Sequence, residues 1–291
     1  MRVSEKMRLA GTQGAQSRLA TRLEKASRVA ARGERVAMPS DDPVAFAAKV
    51  RIDHTLSLID KRSELALRVS GELSVAEGAL STGVDLLAVA RECAVAGSND
   101  TLDAGARKLL AQQVNAVRDE MLGIANTRYG TKYLFAGTKT GTPPFDPSGA
   151  FVANDVIMHV PLLDGVAPPT NVSGARAFTS AGGRDILADL KALADALDTN
   201  DVASVHASID IVDATHTQLV RSQTEAGLAA ERFRSAIDVM TATKTVVTQA
   251  RASEVEGDPM VHLTELSLAR SAYERGVEVT RQLLTLSSLA K

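Results

Sequence analysis

The sequence has 291 residues, of which 45% are hydrophobic but only 3% aromatic, and it contains no tryptophan. Compact enzymes rely on aromatic side chains to fill their interiors, whereas alanine, leucine and valine suffice for narrow seams between helices, so the composition indicates an elongated helical protein. The formal net charge of −2 gives no reason to expect nucleic acid or an anionic membrane as a partner.

The single cysteine, Cys93, excludes an intramolecular disulfide and a cysteine-based metal cluster. Its helical surroundings predict a small buried or half-buried side chain. No run approaches the roughly 18 apolar residues of a membrane span, and the first residues lack the apolar core of a cleavable signal peptide. We therefore expect the protein to stay inside the cell or to leave it by a route without such a signal.

Residues 1–35 predict a weak, basic amphipathic helix. Gly11 and Gly14 each lower helix stability by about 0.5–1 kcal/mol. Nine lysines and arginines minus three glutamates leave a charge of plus six on this segment. It lacks the apolar bulk of a membrane binder and the interleaved aromatics of a nucleic-acid binder, so we interpret its charge as facing a protein partner.

Met38 to Pro43 marks a strong boundary. Pro39 ends the preceding element, Asp42 is a good N-cap, and Pro43 suits the first helical position. Because Asp41 and Asp42 also lie at the positive end of the helix dipole, no metal is needed to explain them.

From Pro43 to about Gly97 the pattern predicts one helix, about 55 residues and on the order of 80 Å long. Its heptad-like seam consists of Leu65, Val69, Leu73, Ala76, Leu80, Gly83, Leu87, Ala90 and Ala94. Residues 97–100 break the helix, and a second helix is expected from Asp103 towards Asn126.

Residues 126–138 predict a turn at Gly130 and a short strand at Tyr133–Phe135. Over 139–183 prolines and glycines separate short β-prone runs, which predicts a small β-rich insert or a partly ordered loop domain. The candidate strands are Phe151–Val152, Val156–Val160 and Ala177–Phe178.

Helical patterns return at 186–197 and, after a pause at 198–200, repeat from Val205 to about Glu254, and a last helix follows from Met260 to Lys291. This last helix carries two apolar stripes, Leu263, Leu266, Tyr273, Val277 and Leu284 on one side and Leu268, Ala272, Val279, Leu283 and Leu286 on another. One stripe suffices to dock a helix on its own core. Two stripes indicate neighbours on two sides, although a helix buried on several sides within one domain gives the same pattern.

The order of elements is the same from either end of the chain, so the two halves can pair antiparallel with both termini together. We predict a mainly α fold: a long antiparallel helical coiled-coil rod made from both halves, with a short β-hairpin, a small β-rich insert and terminal helices for assembly. The predicted segments are 1–40 and 255–291 as paired assembly helices, 41–138 and 184–254 as the halves of the rod, and 139–183 as the insert.

Catalytic chemistry is not indicated. The five histidines have no metal-ligand spacing, and neither a phosphate-binding loop nor a nucleophile elbow is present. We expect no enzyme activity, cofactor or metal unless an unforeseen pocket lies in the insert.

Several motifs resemble the flagellin superfamily. The run Ser40, Asp41, Asp42 and Pro43 resembles its S-D-D-P segment, and Leu73, Glu77, Ala79 and Leu80 resemble its L-x-x-x-E-x-A-L element. Most specific is Asn126-Thr127-Arg128 followed by Tyr133, Leu134, Phe135, Ala136, Gly137 and Thr138 and then by Pro143-Pro144-Phe145, which resembles the N-T-R…Y-L-F-A-G-T…P-F signature of family members that join hook to filament. The sequence departs from the family at Ala153–Asp155, at Leu65 and in its last four residues.

The resemblance implies a non-catalytic structural subunit at the hook–filament joint of the bacterial flagellum. It implies extracellular assembly after unfolded export through the flagellar type III channel. The implied partners are copies of the chain in a ring, the hook-side junction protein, filament flagellin and a cytoplasmic export chaperone, with no nucleic acid and no membrane insertion. The expected assembly interface is Leu19, Leu23, Leu263, Leu266, Tyr273, Val277, Leu283, Leu284 and Leu286.

Two alternatives remain open from the sequence. Filament flagellin itself would polymerise alone into long filaments. An intracellular coiled-coil scaffold would have stable ends and form a parallel dimer, detectable by cross-linking through Cys93. The joint hypothesis predicts instead that residues 1–35 and 255–291 are protease-sensitive in the dilute monomer.

Overall fold

The computed structural model describes residues 2–162, 165 and 167–289, without the side chains of residues 2–6, 8, 9, 284 and 286–289. The elements in chain order are α1 Arg2–Arg32, α2 Pro43–Gly97, α3 Ala104–Ala125, β1 Arg128–Tyr129, β2 Lys132–Tyr133, α4 Gly174–Phe178, α5 Ile186–Asp198, α6 Val202–Val255 and α7 Pro259–Leu289. The chain divides into two compact units. We call Met1–Asp60 with Ala242–Lys291 the terminal unit and Lys61–Thr241 the central unit.

Helix α2 begins and ends where the sequence predicts. The carboxylate of Asp42 accepts hydrogen bonds from the backbone N–H groups of Val44 and Ala45 at 3.1 and 3.0 Å, so it caps the helix, and Pro43 occupies the first position. The 55-residue length is confirmed, with Gly97 as the last helical residue.

The core of the central unit is a bundle of α2, α3, α5 and α6, in which α3 packs on α5. Eight members of the predicted α2 seam are buried: Val69, Leu73, Ala76, Leu80, Gly83, Leu87, Ala90 and Ala94. Helices α2 and α6 run antiparallel here, since Arg91 pairs with Asp213 at 2.6 Å and Arg234 donates to Ser74 at 2.8 Å. Helices from the two halves of the chain therefore pair as predicted.

One stretch of α2 is long and apolar enough to cross a membrane by length and composition alone, with a mean hydropathy of 1.4. A core helix of a folded bundle passes the same test. Leu73, Leu80 and Leu87 on this helix are buried in the bundle, although only 33% of the apolar window is buried.

The β structure of the described chain is sparse. Strands β1 and β2, each two residues long, form an antiparallel hairpin whose turn contains Gly130. The insert adds isolated bridges between Phe145 and Phe151 and between His159 and Pro169. The predicted strand at Ala177–Phe178 is wrong, because both residues lie in α4.

Helix α4 forms because its N-terminus is capped. The Ser173 hydroxyl accepts a hydrogen bond from the Arg176 N–H at 3.1 Å. Phe178 then points into an aromatic cluster, with its ring centroid 5.3 Å from that of Phe135 and 5.7 Å from that of Phe145. Local capping and burial therefore override the β-propensity of these residues.

In the terminal unit, α1 and α7 pack antiparallel on each other, and so do the first part of α2 and the last part of α6. Lys244 on α6 pairs with Asp60 on α2 at 2.6 Å. The α1–α2 linker, residues 33–42, lies at the end of α6, where Arg35 donates to the carbonyl of Val255 at 2.8 Å.

Candidate assembly surface

The contact between α1 and α7 is narrow and built from small residues. Ala26 and Val29 on α1 and Ala269 on α7 are buried. Farther along, Leu19 lies so close to Gly276 that a Cβ added to the glycine would be 2.7 Å from the leucine Cδ1. Such a seam holds two helices together but leaves the large side chains at its margins.

An open groove of about 900 Å³ runs along one margin of this pair. The predicted interface residues Leu23, Leu266 and Tyr273 line it and are half-buried, while Leu263 lines it with 56% of its surface exposed. On the other margin, a smaller groove of about 280 Å³ is lined by Leu19 and residues of α7. Both margins are therefore partly filled and open to an added neighbour.

The outward side of α7 keeps further apolar surface. Leu268 is 57% exposed, Val279 53% and Leu283 45%, and Val277 is also exposed. The predicted interface residues Leu284 and Leu286 have side chains outside the described part of the structure. Since α1 covers only one side of α7, the described residues retain both predicted apolar stripes at least partly uncovered.

The basic character of α1 stays on its surface, where Arg18, Arg22, Lys25 and Arg32 are exposed. Lys25 reaches the linker and pairs with Asp41 at 2.9 Å. This ammonium group, together with backbone N–H donors in the linker, lowers the pKa of Asp41 below its ordinary value. Among the described basic residues of α1, Lys25 is thus attached to the linker, Arg28 is half-buried, and Arg18, Arg22 and Arg32 are open to solvent.

The S-D-D-P segment has a structural role at the base of the helix pair. Ser40 and Pro43 are exposed. Asp41 accepts hydrogen bonds from the N–H groups of Ala37 and Met38 at 3.2 and 3.1 Å, so it folds the linker back on itself, whereas Asp42 caps α2. The two adjacent aspartates therefore serve two different segments.

The Tyr133–Thr138 signature lies in the central unit and is mostly interior. Leu134, Phe135 and Ala136 are buried, and Tyr133 is half-buried. Gly137 has a φ of +61°, and a Cβ there would collide with the backbone of Asn154. This position requires glycine.

Asn154 belongs to the stretch that departs from the family pattern, and it holds the signature in place. Its Oδ1 accepts from the Thr138 N–H at 2.9 Å and its Nδ2 donates to the Thr138 hydroxyl at 2.7 Å. Next to it, Asp155 accepts from the Ser173 hydroxyl and pairs with Arg176 at 3.5 Å. The departure thus fastens the insert to the signature; the signature supports the fold and is not an exposed contact surface.

A polar cavity of about 440 Å³ borders the insert, and its side chains are occupied with one another. Asp155 pairs with Arg176, Arg221 with Glu225 at 3.3 Å, and the Gln218 amide donates to backbone carbonyls. Among the described residues, no three His, Cys, Asp or Glu side chains are grouped to hold a metal ion.

Comparison with known proteins places these features in context. Residues 4–140 match the family model of the bacterial flagellin N-terminal helical region. The chain is similar to flagellar hook-associated protein 3 of Escherichia coli (strain K12), 34% identical over 122 residues, 41% of this chain and 38% of that protein. It is also similar to a flagellin of Clostridium tyrobutyricum, 27% identical over 148 residues, 50% of this chain and 39% of that protein. The matches thus span about two-fifths of the length of these relatives.

Solved structures share the fold. A protein assigned as a flagellar hook-associated protein from Vibrio parahaemolyticus matches with a TM-score of 0.67 at 24% identity, over 74% of this chain and 100% of that one. The flagellar junction protein FlgL from Legionella pneumophila matches with a TM-score of 0.59 at 14% identity, over 72% and 99% of the two chains. The overall fold is therefore shared with these proteins.

Proposed function

We propose that this chain is a member of the flagellin superfamily and a non-catalytic structural subunit joining hook and filament in the bacterial flagellum. The observation that carries the proposal is the uncovered apolar surface of the α1–α7 pair, with Leu268 and Leu263 more than half exposed. A helix pair with so little interior of its own gains stability when identical copies cover it.

The proposal gives each segment a task. Segments 1–40 and 255–291 are the assembly helices, 41–138 and 184–254 form the helical body, and 139–183 is the insert. The narrow α1–α7 seam sets the two helices side by side, and the grooves at its margins accept the apolar side chains of neighbouring subunits. We expect the resulting ring to contact the hook-side junction protein on one face and filament flagellin on the other.

Export and chaperone binding belong to the same proposal. We propose that the subunit passes unfolded through the flagellar type III channel and assembles outside the cell. A cytoplasmic chaperone that covers α7 would shield Leu268, Val279 and Leu283 before export. Deleting residues 263–291 should then abolish chaperone binding, and unchanged affinity would contradict this part of the proposal.

Filament flagellin is the second candidate, favoured by the similarity to the Clostridium protein. The junction role is favoured by the similarity to hook-associated protein 3 and by the Tyr133–Thr138 signature. Self-assembly discriminates the two: a filament subunit polymerises alone into long filaments, and a junction subunit does not.

A deletion strain tests the proposal in the bacterium that encodes the chain. We expect cells without this chain to retain hooks, to lack filaments and to release unpolymerised flagellin into the medium. A plasmid copy should restore filaments. Normal filaments in the deletion strain would contradict the junction role. If the deletion strain released no flagellin into the medium, the result would favour the assignment of this chain as filament flagellin.

A cross-linking test through Cys93 for the scaffold alternative needs redesign. Cys93 is only 3% exposed, and burial raises the pKa of its thiol, so the native side chain is poorly placed to bridge two chains. A cysteine introduced at the exposed position Leu67 of the same helix provides an accessible probe. A parallel dimer would cross-link there, and a monomer would not.

A further inference from the structure

The α1–α2 linker joins two long helices of the terminal unit to each other. Arg35 and Val36 donate backbone hydrogen bonds to the carbonyl of Val255 at 2.8 and 3.3 Å, and Glu34 forms an antiparallel bridge with Glu256. Val36 and Val255 are completely buried. The linker therefore lies along the end of α6 as a short strand would.

This backbone pairing places the Glu34 carboxylate between cations from both long helices. Lys49 on α2 donates to it at 2.6 Å and Arg251 on α6 at 2.8 Å, and Arg251 also donates to Asp53 on α2 at 2.7 Å. The side chains of Glu34, Lys49 and Arg251 are between 15% and 23% exposed. Short, charge-assisted and partly buried contacts of this kind are stronger than surface ion pairs.

Apolar packing contributes little to the contact between the start of α2 and the end of α6. Among the described residues of 43–60 on α2 and 242–255 on α6, the buried hydrophobic side chains are Ala45 and Val255. The larger apolar side chains in these ranges that contact their surroundings are only half-buried: Phe46, Ile52, Leu56, Ile59 and Val247. By contrast, the same two helices bury a continuous seam in the central unit. Pairing of α2 with α6 in the terminal unit therefore depends largely on polar contacts.

We propose that the linker acts as a strap. The Glu34 carboxylate accepts hydrogen bonds from both Lys49 and Arg251 and so holds the start of α2 against the end of α6. Releasing the strap frays 43–60 and 242–255 while the central unit stays folded. The linker thus sets how far toward the chain termini the long helices remain ordered.

Hydrogen exchange of the full-length monomer, read by mass spectrometry peptide by peptide, tests the strap. Glu34→Gln keeps the size and hydrogen-bonding capacity of the side chain but removes its charge. Its matched control is Glu274→Gln, which removes a carboxylate from the exposed pair with Arg270 on α7. Asp53→Asn, which takes away the other partner of Arg251, is a second variant if Glu34→Gln does not fold.

We expect protection of 43–60 and 242–255 to fall roughly tenfold or more in Glu34→Gln, to fall also in Asp53→Asn, and to stay unchanged in Glu274→Gln. Protection within 66–94 and 205–240 should be unaffected. The strap is overturned if Glu34→Gln behaves like the control, if protection falls equally in the central unit, or if the wild-type chain shows no protection in 43–60 and 242–255.

Discussion

Replacing both Leu263 and Leu268 with glutamine should weaken assembly without destabilising the monomer. The two leucines expose 56% and 57% of their surfaces and lie on different stripes of α7. Complete burial of a leucine is worth about 1.5–3 kcal/mol, so covering the exposed half contributes about 1 kcal/mol each. Losing about 2 kcal/mol corresponds to a roughly 30-fold loss of affinity for neighbouring subunits.

The assay is complementation of a deletion strain with titrated expression. Electron microscopy gives the fraction of hooks that carry filaments, and the exported subunit is quantified so that export and assembly are separated. We expect the double variant to need roughly 30-fold more exported subunit for half of the hooks to carry filaments, with an unchanged urea midpoint for the purified chain.

The matched control changes Leu109 and Leu228 to glutamine, since these leucines are 67% and 58% exposed and lie in the central unit. It should assemble as the wild type does. Equal assembly of the α7 variant and the wild type would refute the assignment of the α7 stripes to subunit contacts. An equal defect in both variants would show that the contacts are not concentrated on α7.

The remaining predictions concern stability and reactivity. Gly137→Ala places alanine in a left-handed backbone conformation and in collision with the insert, so it should lower the free energy of unfolding, measured by urea titration, by at least about 1–2 kcal/mol. Gly78→Ala, at a position on α2 with open space around it, should raise the free energy of unfolding by about 0.5–1 kcal/mol. Ion pairs lower the pKa values of Glu34 and Asp41, mainly through Lys49 and Lys25, below their ordinary 4.5 and 3.8. Their stabilisation is therefore complete above these ordinary values and lost as the pH falls through the lower folded values. Protection against hydrogen exchange, relative to the intrinsic exchange rate at each pH, should therefore fall in the terminal unit below about pH 4 before it falls in the central unit, and a simultaneous fall in both units would contradict this. The Cys93 thiol should react with a thiol reagent at least about 100-fold more slowly in the folded chain than in urea, and equal rates would contradict its burial.

The long helices could be predicted because local and periodic signals agree there. Asp42 and Pro43 provide a cap and a first residue, and the α2 seam repeats without interruption as far as Ala94. Boundaries of this kind follow from chemistry within a few residues of the chain. Antiparallel pairing then followed from the order of the elements, and it is present in both units.

The structure of the insert could be predicted less well, because contacts between residues distant in sequence determine it. The Ser173 cap turns Ala177–Phe178 into helix, and the ring of Phe178 packs against partners more than thirty residues away. Nothing in the sequence indicates that Asn154 contacts Thr138. Propensity alone therefore assigned strand where burial and capping select helix.

The sequence also did not predict the burial of two polar side chains, Arg107 and Gln218. Arg107 is 3% exposed and donates to the carbonyls of Gly97 and Asn99 at 2.8 and 2.7 Å and to the Asn200 side chain at 2.5 Å, which fastens two inter-helix turns. Gln218 holds the turn before α5 through backbone carbonyls. On a helix, an arginine or glutamine that points inward follows the same periodicity as one that points to solvent, so the pattern does not reveal it.

The site of the subunit on the cell tests the central claim most directly. Immunogold electron microscopy with an antibody against the chain should show a single narrow band where the hook meets the filament. Label along the whole filament would identify the chain as flagellin, and label confined to the cell interior would contradict a flagellar role altogether.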